Sequence, residues 1–167
     1  IPVVYPRFNY KNINNISKFF ENLFSTVRFD TFTFFSFSLN DFKKYYCSDA
    51  NFFLPNLVLI DTANGHLNEI LNAVEIAKKY RNNLTVMVGN IANPETYRWY
   101  AKSGLVDYVR IGIGNGNGCL TTEHLGIGYP MGSLIKECYE IKCNEYLSNK
   151  IKPPHIVADG GMKKYAD

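Results

Sequence analysis

Residues 107–131 read Asp-Tyr-Val-Arg-Ile-Gly-Ile-Gly-Asn-Gly-Asn-Gly-Cys-Leu-Thr-Thr-Glu-His-Leu-Gly-Ile-Gly-Tyr-Pro-Met, and this stretch organises the rest of the chain. An apolar strand is predicted over 106–111, and the loop after it has glycine at every second position from 112 to 118. Glycine permits left-handed and crowded backbone conformations, so carbonyl and amide groups can face a ligand or an ion closely. The loop then presents Cys119, with two threonines shortly after it. We interpret it as a loop that holds a nucleophile.

Two other interpretations use the same residues. The first is a flexible Gly-Asn turn that contains a buried cysteine. The second is a dinucleotide-binding phosphate loop, which needs G-x-G-x-x-G opening a helix directly after a strand and an acidic residue about 20 positions further on. Here the glycines alternate and a Cys-Leu-Thr-Thr sequence follows. The pattern therefore favours a phosphate loop least.

Outward from this loop, hydrophobic periodicity predicts strands that alternate with helices. The predicted strands are 1–5, 31–39, 57–60, 84–88, 106–111 and 155–158. Apolar residues recur at helical spacing in 16–24, 67–77 and 131–141, and the last of these helices is predicted from about 130 to 146. Asn40 is predicted to cap a short helix through Tyr46, and Asn93 with Pro94 to start a helix that Gly104 ends.

Polar or glycine-rich residues follow four of the predicted strands, at Asp61, Asn90, 112–119 and Asp159. Strands that alternate with helices imply parallel βαβ units, which would place these residues on one rim of the sheet. A (β/α)8 barrel and an open doubly wound sheet both bind ligands at that rim. The spacing alone leaves the two folds open.

Composition excludes several classes of function. The chain has 167 residues and a net charge of +3, which is too small to predict nucleic acid as a partner. No apolar run reaches the roughly 18 residues of a membrane span, and no signal peptide is visible, so we expect a cytoplasmic protein without a membrane partner. The cysteines have no zinc spacing, and His66 and His155 are expected to be packed or hydrogen-bonded. Because the sequence starts with Ile and stops within a pattern, we expect a fragment.

Residues 112–122, with 126–130 behind them, closely resemble the catalytic loop of the IMP dehydrogenase and GMP reductase family. Three further stretches resemble the family's other strand signatures, in the family's order. They are Asp-Thr-Ala-Asn-Gly-His at 61–66, Val-Gly-Asn at 88–90 and Ala-Asp-Gly-Gly at 158–161. Four ordered motifs make a specific signal, and it favours the barrel.

The expected fold class is therefore α/β, an incomplete (β/α)8 TIM barrel that covers about strands 2 to 7, because a whole barrel takes about 250 residues. We expect residues 1–167 to form a single partial barrel domain. Residues 1–56 are divergent and contain no recognisable functional motif, and residues 57–161 contain the four motifs that resemble the family.

The resemblance assigns catalytic roles to Cys119 and Thr121. In the family, a cysteine attacks carbon 2 of the purine of IMP as hydride leaves to a nicotinamide cofactor, or attacks GMP to expel ammonia. Cys119 matches this residue, and Thr121 matches the threonine that helps to position or activate water or the leaving group. A thiolate suits the role because it is the best side-chain nucleophile near neutral pH.

The resemblance also implies a purine nucleotide monophosphate as substrate. Asp159 matches the carboxylate that accepts the ribose hydroxyls, and Gly160 and Gly161 bring amides to the phosphate. Asn90 matches the amide side chain near the reacting centre. Asn117 stands where most members have a serine that contacts the phosphate, so the phosphate geometry is expected to differ.

The implied cofactor is NAD, or NADP for a reductase. Asp61 matches the acid that binds the nicotinamide ribose, and Arg110 and Gly112 are assigned to the same cofactor site. Carbonyls of Gly114, Gly116 and Cys119 match the positions that hold a monovalent cation, usually potassium; carbonyl oxygens suit such a cation better than zinc. The family's usual assembly is a homotetramer.

The two reactions of the family are not equally favoured. Residues 61–63 and 65–66 look more like dehydrogenases, while Asn64, 128–130 and 137–138 look more like reductases. We take IMP dehydrogenase as the leading hypothesis because it is the broader group, with GMP reductase as the alternative. A third hypothesis, from another class, is a truncated barrel that binds purine nucleotides without turnover.

Overall fold

The computed structural model describes residues 2–29, 32–113, 128–149 and 152–160. These residues form six strands and five α-helices, which alternate after a short 3-10 turn at Tyr10–Asn12. The strands are β1 (Val3–Tyr5), β2 (Thr33–Phe37), β3 (Leu57–Asp61), β4 (Thr85–Ile91), β5 (Tyr108–Ile111) and β6 (His155–Ala158). The helices are α1 (Ile16–Thr26), α2 (Leu39–Tyr46), α3 (Asn68–Tyr80), α4 (Pro94–Ser103) and α5 (Met131–Asn149).

The strands lie in one sheet in the order β1 to β6, which is also their order along the chain. A strand followed by its helix and then by the neighbouring strand is the repeating unit of a (β/α)8 barrel. The predicted fold class, an incomplete barrel of this kind, is confirmed. Within the sheet the chain divides into two compact units, residues 1–62 with 67–87 and residues 63–66 with 88–167.

The first unit contains β1, β2 and β3, which pair in parallel. All five residues of β2 are buried. A strand that is covered on both faces is typical of a parallel sheet. The core beside it is aromatic: the ring of Tyr10 stacks on that of Phe37 with centroids 4.5 Å apart, and the Tyr10 hydroxyl donates to the carbonyl oxygen of Ser36.

The helix α2 begins at Leu39, two residues earlier than predicted, and its cap is Ser38 rather than Asn40. The Ser38 hydroxyl accepts a hydrogen bond from the backbone amide of Asp41 at 3.1 Å, so the prediction of Asn40 as the cap is wrong. Both residue types are good N-caps, and the residue that keeps extended backbone geometry takes the role. Here that residue is Ser38, with φ −68° and ψ 159°.

The second unit contains the end of β4, then α4, β5, α5 and β6. The predicted limits of α4 are confirmed, since the Asn93 side chain accepts a hydrogen bond from the amide of Thr96, and Gly104 ends the helix at φ 65°. Strands β5 and β6 pair in parallel, with Arg110 opposite Val157. Helix α4 packs on α5.

Strand β4 is longer than predicted, because it continues through Gly89 and Asn90 to Ile91. Asn90 therefore lies within the strand rather than after it. Glycine is required for this continuation, since a Cβ on Gly89 would lie 2.6 Å from the carbonyl oxygen of Arg110. The close approach brings β4 directly against β5, and the amide of Gly112 donates to the carbonyl oxygen of Ile91 at 2.9 Å.

Candidate functional site

Three polar side chains converge at the carboxyl ends of β4, β5 and β6 in the second unit. Nδ2 of Asn90 donates to Oδ2 of Asp159 at 2.9 Å, and Nε of Arg110 donates to Oδ1 of Asn90. Nε of Arg110 also lies 3.6 Å from Oδ2 of Asp159. Two predicted substrate residues and one predicted cofactor residue thus form a single network, the Asn90–Arg110–Asp159 network.

The orientation of the Asn90 amide follows from its partners. Its nitrogen donates twice, to Asp159 and to the carbonyl oxygen of Gly112 at 2.6 Å. Its oxygen accepts from a guanidinium group, which can only donate. The amide nitrogen and oxygen therefore have fixed positions at the end of β4.

The backbone of Asn90 is held as well. Its carbonyl oxygen accepts from the amide of Gly65 at 3.0 Å, and the buried hydroxyl of Tyr100 donates to the carbonyl oxygen of Gly65. A Cβ on Gly65 would lie 2.7 Å from Cγ2 of Ile91 and 3.0 Å from the carbonyl oxygen of Asn90. A glycine at 65 is thus part of what positions Asn90.

Exposure divides the network into a supporting part and a part that faces solvent. The side chain of Arg110 is 16% exposed and that of Asp159 is 48% exposed. A half-exposed carboxylate that is held by a partly buried guanidinium and an amide can accept hydrogen bonds from ligand hydroxyls. Gly160 follows it with φ 88°, a conformation that favours glycine.

Asp61 belongs to the first unit, where it ends β3 with a side chain that is 31% exposed. Two residues that sequence reasoning missed contact it there. Nη2 of Arg7 lies 2.9 Å from Oδ2 of Asp61, and the Ser36 hydroxyl donates to the same oxygen at 3.2 Å. The sequence indicated these contacts only through position along the strands: Arg7 follows β1, and Ser36 is next to last in β2. The predicted convergence of Asp61 with Asn90 and Asp159 stays a prediction.

Several predicted site residues lie outside the described residues. They are Gly114, Gly116, Asn117, Cys119, Thr121 and Gly161. Among the residues that are described, no group of three or more His, Cys, Asp or Glu side chains could hold a metal ion. In the same part of the chain, every helix is too short or too polar to span a bilayer.

The described cysteines include two thiols that are poor nucleophiles. Burial raises the pKa of Cys138 to about 12, and burial also raises the pKa of Cys47, whose Sγ donates to the carbonyl oxygen of Ala73. Because the thiolate is the reactive form, a raised pKa disfavours reaction at both groups near neutral pH. Cys138 is buried and Cys47 is partly buried.

The two histidines beside predicted strands each contact an aromatic ring, although both residues are exposed. The imidazole of His66 stacks on Trp99 with centroids 5.3 Å apart, and its Nδ1 lies 2.7 Å from the Thr96 hydroxyl. His155 stacks on Tyr108, and burial lowers its pKa, helped by Lys142 and Lys152.

Tyr129 is held at the start of α5. Its hydroxyl donates to Oε1 of Glu137 at 2.6 Å, two turns along the helix. This hydrogen bond raises the pKa of Tyr129, with smaller contributions from desolvation and from the charge of Glu137. The contact links 128–130 with 137–138, two of the stretches that resemble GMP reductases.

Comparison with known proteins matches residues 55–167 to a family described as the IMP dehydrogenase / GMP reductase domain. The inosine-5′-monophosphate dehydrogenase of Chlorobaculum tepidum is 37% identical over 112 residues, which are 67% of this chain and 21% of that protein. The GMP reductase of Staphylococcus epidermidis is 32% identical over 117 residues, which are 68% of this chain and 32% of that protein. The chain spans about a fifth of the length of the first relative and about a third of the second.

Proposed function

The chain belongs to the IMP dehydrogenase / GMP reductase domain family, and on this premise we propose that the protein is a purine-nucleotide oxidoreductase that acts as an IMP dehydrogenase. The reaction is IMP, NAD and water to XMP, NADH and a proton, a step of guanine nucleotide synthesis. The observation that carries the proposal is the Asn90–Arg110–Asp159 network. All three residues lie inside the matched region, at the strand ends where a barrel binds its substrate.

The network supports a nucleotide site by its chemistry. Asp159 accepts the two ribose hydroxyls, and its half-exposed carboxylate suits this role. Gly160 and Gly161 present amides to the phosphate, together with Asn117. Asn90 lies beside the base and holds Asp159 in place. The contacts of Asn90 and Asp159 support their proposed roles, and the roles of Asn117, Gly160 and Gly161 follow from the resemblance.

Asp61 in the first unit, and Arg110 and Gly112 in the second, are each assigned to binding of the nicotinamide cofactor. The residues fit a nicotinamide dinucleotide, since Asp61 ends β3 with a partly exposed carboxylate that can accept ribose hydroxyls. When bound, NAD supplies the hydride acceptor. Arg110 would support the site by holding Asn90 and Asp159, which its side chain contacts.

Cys119 is the proposed nucleophile. Its thiolate attacks carbon 2 of the purine and a hydride leaves that carbon. Thr121 then helps to position the water that releases XMP and frees the thiol. Glycine amides of the loop stabilise the anionic sulfur. Burial raises the pKa of Cys47 and of Cys138, which makes these two thiols less suitable as the nucleophile.

Three further features belong to the proposal. Carbonyls of Gly114, Gly116 and Cys119 hold a potassium ion, whose weak hydration suits carbonyl ligands. The protein assembles as a homotetramer. It acts in the cytoplasm, where its nucleotide substrate and nicotinamide cofactor are found.

GMP reductase is the second candidate, and the contact between Tyr129 and Glu137 favours it. These residues lie in the two stretches that resemble reductases, and a direct hydrogen bond indicates that they act as one unit. In that case Cys119 attacks GMP, ammonia leaves, and hydride from NADPH gives IMP. A barrel that binds purine nucleotides without turnover is the remaining candidate.

Absorbance at 340 nm separates these functions in the full-length protein. If the protein is a dehydrogenase, absorbance should rise when IMP and NAD are added. If it is a reductase, absorbance should fall when GMP and NADPH are added. Cys119→Ser is the control and should abolish either change while purine nucleotide still binds. Nucleotide binding without any change at 340 nm in the unaltered protein would leave only the non-catalytic barrel.

A further inference from the structure

The side chain of Arg7 contacts both the main chain and the side chain of Asp61. Nη2 of Arg7 donates to the carbonyl oxygen of Asp61 at 2.7 Å, and the same nitrogen lies 2.9 Å from Oδ2. The two residues are 54 positions apart. One nitrogen that bridges a backbone oxygen and a carboxylate oxygen fixes the rotation of the side chain relative to the strand.

Ser36 adds a second constraint on the same oxygen. Its hydroxyl donates to Oδ2 of Asp61 at 3.2 Å, and Ser36 is only 2% exposed. The donor therefore comes from a buried strand position, whereas Arg7 approaches from the surface side. Two donors from different elements, β2 and the segment after β1, leave the carboxylate with little freedom to turn.

Stability alone gives little reason for this arrangement. The side chains of Arg7 and Asp61 are 40% and 31% exposed, and ion pairs with this exposure contribute about 0.2–1 kcal/mol to folding. A fixed carboxylate can increase the affinity for a ligand, because an acceptor that is already oriented loses less conformational entropy on binding. Both Arg7 and Ser36 precede the matched region 55–167.

We propose that Arg7, with Ser36, is a positioning residue that orients the Asp61 carboxylate toward the ribose hydroxyls of the nicotinamide cofactor. The proposal rests on the cofactor role proposed for Asp61. It gives the divergent portion of the chain a function, since residues before 57 hold a residue of the motif-bearing portion in its working orientation.

The test is a double-mutant cycle on NAD binding in the full-length protein. Dissociation constants for NAD and for IMP are measured by calorimetry in the unaltered protein, Arg7→Gln, Asp61→Asn and the double variant. Arg28→Gln, at an exposed arginine after α1, is the matched control. Arg7→Gln should weaken NAD binding about fivefold, the equivalent of about 1 kcal/mol, and should leave IMP binding unchanged within twofold. Arg7→Lys should recover most of the loss, because an ammonium can bridge the same two oxygens.

The cycle separates positioning from simple loss of charge. If Arg7 acts through Asp61, then Arg7→Gln has no further effect in the Asp61→Asn background. An equal effect in both backgrounds overturns the inference, as does equal weakening of NAD and IMP, which would indicate general destabilisation. If Arg7→Gln changes nothing while Asp61→Asn weakens NAD binding, the inference fails and the cofactor role of Asp61 stands. If Asp61→Asn has no effect either, the cofactor role fails with it.

Discussion

The side-chain amide of Asn90 donates a hydrogen bond to the carboxylate of Asp159 at 2.9 Å, although the two residues are 69 positions apart. Arg110 contacts both of them from the strand between. Three consecutive strands thus end in one hydrogen-bonded network. A ligand that binds Asp159 is coupled through this network to Asn90.

Replacing Asp159 by Asn should weaken the binding of IMP or GMP roughly tenfold or more, because hydrogen bonds to a charged acceptor contribute about 1.5–3 kcal/mol. Stability should change little, since the side chain is 48% exposed and asparagine can still accept from Asn90. Calorimetric titration of the full-length protein measures the dissociation constant. Glu140→Gln, an exposed charge change on α5, is the control. Equal affinities of the two variants would remove Asp159 from the nucleotide site.

Gly89→Ala should lower the free energy of unfolding by about 1–3 kcal/mol, the usual cost of overpacking. The new Cβ would lie 2.6 Å from the carbonyl oxygen and 2.7 Å from the Cβ of Arg110, so β4 and β5 must separate. Gly132→Ala is the matched control, because no atom lies within 4 Å of its Cβ position. In helix α5 that change should stabilise by up to about 1 kcal/mol. Urea denaturation that gave both variants the same stability would contradict the close approach of the strands.

Stability should fall as pH rises above about 10, in part because of Tyr100. Burial raises the pKa of Tyr100 above its ordinary value near 10, and its side chain is fully buried. A raised pKa in the folded state means that this group's contribution to the free energy of unfolding is complete below pH 10. It is lost as pH rises toward the folded value, by up to about 1.4 kcal/mol per pH unit.

Denaturation at pH 9, 10 and 11 measures this loss. Between pH 10 and 11, Tyr100→Phe should lose stability less steeply than the unaltered protein. Tyr139→Phe, at a residue that is 60% exposed, should follow the unaltered protein. Parallel curves for all three proteins would show that Tyr100 ionises freely in the folded state.

Local chemistry explains what the sequence predicted well. Asn93 and Pro94 start α4, and Gly104 ends it in a left-handed conformation, because caps act within one turn of their own residue. The same rule could not choose between Ser38 and Asn40 for α2. That choice depends on where the chain leaves β2, which is a property of the sheet.

Contacts between distant residues explain what the sequence could not supply. Periodicity placed Asp61, Asn90 and Asp159 at strand ends, but it could not show that Asn90 contacts Asp159 or that Arg7 contacts Asp61. The extension of β4 was missed for a related reason. Gly89 looks like the end of a strand, yet it is the residue that allows β5 to approach.

Potassium should raise the activity of the full-length protein severalfold when it replaces sodium or lithium at equal ionic strength. The proposed ligands are carbonyls of Gly114, Gly116 and Cys119, and a carbonyl cage suits a large, weakly hydrated cation. Initial rates at 340 nm measure the effect. Rates that do not depend on the cation would count against this site.

Covalent labelling of Cys119 tests the central claim most directly. The full-length protein is treated with a purine nucleotide that carries a leaving group at carbon 2 or 6, and peptide mass spectrometry locates the adduct. We predict one adduct per chain, on Cys119, with Cys47, Cys138 and Cys143 unmodified, because a bound nucleotide places its reactive carbon near a single sulfur, and such proximity is worth about 7–11 kcal/mol. Labelling spread over all four cysteines, or turnover that survives Cys119→Ser, would contradict a covalent purine-nucleotide mechanism.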